Sequence, residues 1–177
     1  MLGSMVSSEF PTRAEISDIA TAAYLHVDST MTSEETTISN NPAFVVETMA
    51  KVLKHADEDS IENGQDWSDA EELPENDWAL SVTLMAELNK AAAIVVFAND
   101  TRAATWISCR RPDVPVYAVA REAVVANQLC LSRGVFSVCD DKMFDARDAV
   151  AAAKHFGLES GILVIVDGEK ISLRKLG

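Results

Sequence analysis

The sequence has 177 residues, of which 48% are hydrophobic and 24% charged, with a formal net charge of −13. That is room for one ordinary domain, or one domain and a fragment of another, with a real core. The acidic field argues against a nucleic acid partner, because the densest basic cluster is only Arg110-Arg111.

The longest uninterrupted apolar run is the eight residues from Ala91 to Ala98, where a spanning helix needs roughly 20. No basic residue precedes Arg13, so neither a signal peptide nor a membrane association is expected. The three cysteines, Cys109, Cys130 and Cys139, lack metal-ligand spacing. They fit a reducing, cytoplasmic setting and are expected as core or boundary thiols.

In chain order, Thr12 stands three residues ahead of Glu15, the spacing of a capping box, and opens a helix. Ile16, Ile19, Ala20, Ala23 and Tyr24 form its apolar face. A short strand is expected over 27–32. Asn41-Pro42 opens a second helix, striped by Phe44, Val45, Met49, Val52 and Leu53. Ten acids and no Lys or Arg follow over 57–77, and the other 18 acids face 15 Lys and Arg. This segment reads as an acidic linker, punctuated by Asn63-Gly64 and Leu73-Pro74, with Trp67 pinning it to a surface.

Beyond it, helices and apolar strands alternate. Helices are expected over 78–90 (Trp78, Val82, Met85 and Leu88 inward), 101–110, 121–132 and 142–156. Strands are expected over 94–97, 114–119, 135–138 and 162–166, with 171–173 returning antiparallel after a tight Asp167-Gly168 turn. Helices between apolar strands specify an α/β fold whose mostly parallel sheet is covered on both faces.

The residues offer little standard chemistry. The seven glycines make neither a dinucleotide fingerprint nor a P-loop, and His26, His55 and His155 are far apart. His155 reads as a partner for a helix C-terminus, and Trp106 as packing. One junction stands out, where the strand ending at Phe97 passes through Asn99, Asp100, Thr101, Arg102 and Ala103 into a helix. Free N–H groups there suit an anion, and Arg102 would add a charged fork. The simpler reading is that Asp100 caps the helix, Arg102 is solvated, and a carboxylate stands where a phosphate would.

Pro11 to Ala20 resembles the segment after the seventh barrel strand of the pyruvate kinases, and Met1 to Met5 the stretch before it. The 28–36 stretch resembles the loop after the eighth strand, and Asn41-Pro42 the start of the eighth helix. Ala93 to Phe97, Arg110 to Pro112, Val114 to Val119 and Arg133 to Phe136 are similar to that family's C-terminal domain. The resemblance implies a three-layer α/β sandwich over 78–177, an acidic linker over 57–77, and over 1–56 a helical remnant of a (β/α)8 barrel, comprising its last strand and last two helices.

The family transfers a phosphoryl group from phosphoenolpyruvate to ADP in glycolysis, using Mg2+ and K+. A complete barrel takes roughly 200–250 residues, so this chain is expected to be inert alone and to hold no cofactor or metal. The resemblance places Ser33 and Glu35 in the pocket loop, their bland alternative being a helix-start cluster. It places Arg13 at a subunit interface and Asn99 to Ala103 in an effector loop that holds a phosphate. Several positions depart from the pattern. Asp100 and Thr101 replace Ser-Gly, Glu34 and His26 replace glycines, and Asp167 to Lys170 replaces a longer Gly-rich loop. A phosphate effector is therefore expected to bind weakly, and fructose bisphosphate not tightly. Partners are expected to be a second copy or a complementary or full-length pyruvate kinase chain. Residues 1–56 are expected to pack on the α/β domain, self-associate or stay loosely ordered. The alternative is a stand-alone, non-catalytic regulatory or docking module.

Overall fold

Thr12 is extended (φ −75°, ψ 158°) and its hydroxyl accepts from the Glu15 N–H, while the Glu15 carboxylate takes the Thr12 N–H at 2.7 Å. This reciprocal capping box starts α1 (Arg13–Tyr24) where the sequence places it. The computed structural model describes residues 1–62 and 77–177, which divide into two units, Met1–Ala70 and Glu71–Gly177. Asn63-Gly64, Trp67 and Leu73-Pro74 lie outside the described residues.

The described part of the first unit is a 3-10 turn (Gly3–Val6), α1, a single turn α2 (Glu34–Thr37) and α3 (Pro42–Glu62). The Asn41 side chain accepts from the Phe44 N–H at 3.2 Å and so covers an N-terminal donor of α3. Leu2, Met5, Ile19, Val45 and Met49 form one small core, with Phe44, Val52 and Leu53 packed around it. The stripe expected on α3 is the one buried, whereas Ile16 of α1 is exposed. α3 runs on into the acidic segment as far as Glu62.

The strand expected over 27–32 does not form; that stretch is irregular. A strand needs a ladder partner for its N–H and C=O groups, and the described residues of this unit hold helices only.

The second unit begins with α4 (Asp77–Leu88) and then alternates β1 (Ala93–Ala98), α5 (Arg102–Cys109), β2 (Val116–Ala120), α6 (Ala123–Leu129) and β3 (Val135–Cys139). It closes with α7 (Asp141–Ala146), α8 (Ala149–His155), β4 (Gly161–Asp167) and β5 (Lys170–Leu176). The sheet order is β3-β2-β1-β4-β5, parallel except for β5. β1 is buried at all six positions, as its unbroken apolar run requires for a strand covered on both sides.

The two sides are read by alternation along β1. Ile94, Val96 and Ala98 pack with Val82 of α4, Ile107 of α5 and Leu129 of α6. Ala93, Val95 and Phe97 pack with Phe144 of α7 and Ala149, Ala152 and Ala153 of α8. The second unit is thus the expected three-layer sandwich.

Three details differ from expectation. α4 buries Ala79, Val82 and Ala86, while Leu88 is 83% exposed at its end. The helix expected over 142–156 is two helices, broken at Arg147, which adopts the left-handed conformation (φ 51°). All three cysteines are exposed rather than buried. They sit at element ends, at the boundary and not in the core.

Candidate functional site

In a sheet of this order the chain leaves the central strand in both directions, and the crossovers lie on opposite faces. Helices α5 and α6 cover one side and α7 and α8 the other, so a crevice opens outside the carboxyl ends of β1 and β4. Phe97 and Asp167 are paired positions at those two ends. The crevice, about 570 Å³, is lined by Trp78, Asn99, Asp100, Arg102, Trp106 and Glu169 among others. Sequence reasoning placed the 99–103 loop; Trp106 joins it one turn along α5 from Arg102, and Trp78 and Glu169 join it only because the fold brings α4 and the β4–β5 turn alongside.

Within the loop, Asp100 and Arg102 satisfy each other. Asp100 Oδ1 accepts the Arg102 N–H at 2.9 Å, and Oδ2 accepts from Nε at 2.8 Å and from Nη2 at 2.6 Å. The side-chain bonds from Arg102 are the largest influence on the Asp100 carboxyl and hold it below its ordinary value. The cap position of α5 is Thr101, whose side chain caps nothing. The carboxylate one residue earlier covers the Arg102 N–H instead. Arg102 is therefore an ion-pair partner and not simply solvated. Asn99 is exposed, Thr101 half-buried, and Ala103 joins the lining.

A second arginine is used in the same way across the sheet. Arg147 Nε lies 2.9 Å from the Asp167 carboxylate, and its guanidinium stands 4.2 Å from the Phe144 ring centre. Arg121 pairs with Asp145.

In the first unit, Ser33 and Glu35 meet, with the Ser33 N–H donating to Glu35 Oε2 at 2.9 Å. The Glu35 side chain is only 4% exposed, and it also takes the Leu2 N–H at 3.2 Å and the Met1 amine at 3.0 Å. Burial pushes this carboxyl up, but the backbone N–H groups and the amine outweigh it and hold it at about 2. Ser33 is exposed and its side chain caps nothing. Arg13 is exposed at the first position of α1.

The Mg2+ and K+ implied by the resemblance do not fit these residues. The Glu35 oxygens already face N–H donors, and no three His, Cys, Asp or Glu among the described residues converge to hold a metal ion. No helix among the described residues is long and apolar enough to cross a membrane.

The family model described as the pyruvate kinase alpha/beta domain matches residues 77–173, more than half of the chain. The chain belongs to the pyruvate kinase family. It is 36% identical to pyruvate kinase 2 of Synechocystis sp., covering 94% of this chain and 29% of that protein. It is 29% identical to the pyruvate kinase of Thermococcus litoralis, covering 97% of this chain and 38% of the relative. The crystal structure of Cryptosporidium parvum pyruvate kinase superimposes with a TM-score of 0.79 at 25% identity, over 99% of this chain and 38% of that one. The chain thus spans about a third of the length of the pyruvate kinases it matches.

Proposed function

We propose that this chain acts as the C-terminal portion of a pyruvate kinase and that, as an isolated polypeptide, it does not transfer a phosphoryl group from phosphoenolpyruvate to ADP. The observation that carries this reading is the state of Glu35. Its carboxylate, the one matched to the family's pocket loop, is buried and accepts the Leu2 and Ser33 N–H groups of its own unit. A carboxylate spent on N–H groups is not available to a metal or a substrate. The share of each relative that the chain covers supports the same reading.

The Asp100–Arg102 pair supports weak effector binding. A phosphate reaching α5 must displace a carboxylate already set 2.6–2.9 Å from its donors, and would bring more negative charge into a chain of −13.

The test is pyruvate formation from phosphoenolpyruvate and ADP by the purified chain with Mg2+ and K+ present. No turnover is expected; turnover that co-elutes with the protein overturns the reading. Calorimetry with fructose bisphosphate is expected to show no micromolar binding.

A second reading is that the chain docks onto another pyruvate kinase chain or a second copy of itself. It is favoured by large apolar side chains left exposed in the first unit, namely Phe10 (62%), Leu25 (74%), Met31 (78%) and Ile38 (63%). Light scattering distinguishes the two, because a strict monomer that ignores an added full-length pyruvate kinase excludes docking. A glycolytic, cytoplasmic role belongs to the same proposal.

A further inference from the structure

The crevice at the strand switch holds more than the Asp100–Arg102 pair, and the rest of its lining suits a guest of opposite charge to a phosphate. Trp78 and Trp106 stand in its wall, both half-buried, together with Phe97 and Ala98. Among the described residues, the charged side chains of the lining are Asp100, Arg102 and Glu169. Asp100 and Arg102 neutralise one another at 2.6 Å. Glu169, exposed at the tip of the β4–β5 turn, then gives the described lining one net negative charge, in a chain whose total is −13.

The face of an indole carries negative potential and attracts a cation, tryptophan more strongly than any other side chain. A carboxylate at the rim adds to that attraction and steers the cation inward. A volume of about 570 Å³ is in the range of small-molecule sites. We propose that this crevice binds a small organic ammonium ion, with its charge on the Trp78 and Trp106 indoles and beside the Glu169 carboxylate. The site requires no turnover, so it is tested apart from the absence of phosphoryl transfer, and it shares with weak effector binding the premise that Asp100 neutralises Arg102.

The test uses the full chain, isotopically labelled, with choline as the probe and the indole N–H resonances of Trp78 and Trp106 as the readout. Choline is expected to shift both resonances saturably. The neutral isostere 3,3-dimethylbutan-1-ol, which has the same shape without the charge, is expected to bind about fivefold more weakly. Glu169→Gln, at an exposed turn where folding is not at stake, is expected to weaken choline about threefold. Trp106→Leu is expected to weaken it about fivefold. Equal affinity for the neutral isostere overturns the proposal, as does unchanged affinity in Glu169→Gln. Failure of choline to move either resonance, or tighter binding of a sugar bisphosphate than of choline, overturns it as well.

Discussion

Glu15 and Ser4 are joined twice across the entry to α1. The Ser4 N–H donates to Oε1 at 2.7 Å and the Ser4 hydroxyl to Oε2 at 2.5 Å. The same carboxylate takes the N–H and hydroxyl of Thr12 at 2.7 and 2.8 Å. One side chain therefore closes the capping box and ties the preceding 3-10 turn to the helix.

Burial pushes the Glu15 carboxyl up, but these donors from Ser4 and Thr12 overrule it and lower it from 4.5 to about 2. A lowered carboxyl stabilises the fold fully above its unfolded value and loses that contribution as pH falls through the folded one. Glu35, also at about 2, acts in the same direction. The first unit is expected to lose structure as pH falls from 4.5 towards 2, and Glu15→Gln to make that loss shallower. Amide exchange over residues 3–24, followed through the acid range, checks both statements. An unchanged slope in the variant would show that Glu15 contributes nothing to it.

Replacing Asp100 by Ser removes the carboxylate from the mouth of α5 and leaves Arg102 unneutralised. Affinity for inorganic phosphate is expected to rise about tenfold, the value of one charge-assisted hydrogen bond. Stability is expected to change by less than about 1 kcal/mol, because Arg102 is 72% exposed. Calorimetry and a thermal melt read the two effects separately.

Gly161 starts β4 with φ +131°, and a Cβ placed there would meet the Ala92 Cβ at 2.5 Å. The neighbouring Ala92 N–H donates to Ile162 O at 2.7 Å, so the two backbones cannot part without losing that bond. Gly161→Ala is expected to destabilise the second unit by about 1–3 kcal/mol. A denaturant melt reporting on Trp78 and Trp106 measures it.

Asp148 caps α8, its carboxylate accepting the Ala151 N–H at 3.0 Å. Asp148→Ala is expected to cost about 0.5–2 kcal/mol. It is also expected to raise amide exchange in the first turn of α8 before that in α7. Uniform exchange across both helices would mean that they behave as one.

The elements most legible in the sequence are those fixed by local chemistry. The Thr12 and Glu15 spacing gives the start of α1, and the apolar run of β1 gives a strand covered on both sides. The β4–β5 hairpin follows from Asp167-Gly168, with Asp167 opposite Lys170 in the ladder. What local pattern cannot supply is a partner from elsewhere in the chain. The alanine-rich stretch favours one helix by propensity. Arg147 breaks it because its left-handed turn carries the guanidinium to Asp167 and the Phe144 ring.

The site divides along the same line. Asp100 and Arg102 are two residues apart, and a capping carboxylate could be read from them; their full fork depends on the rotamer of Arg102. Trp78, Trp106 and Glu169 come from three separate elements, and nothing in their spacing joins them. The irregular path over 27–32 is the converse case, a strand-like composition with no strand among the described residues of its unit to pair with.

The β4–β5 turn has only Gly168 and Glu169 between the paired Asp167 and Lys170. A hairpin tip this short is held by ladder bonds on both sides and has no slack with which to fold over a guest. That wall of the crevice is a fixed kerb and not a door. Any closing movement over the crevice has to come from its other walls.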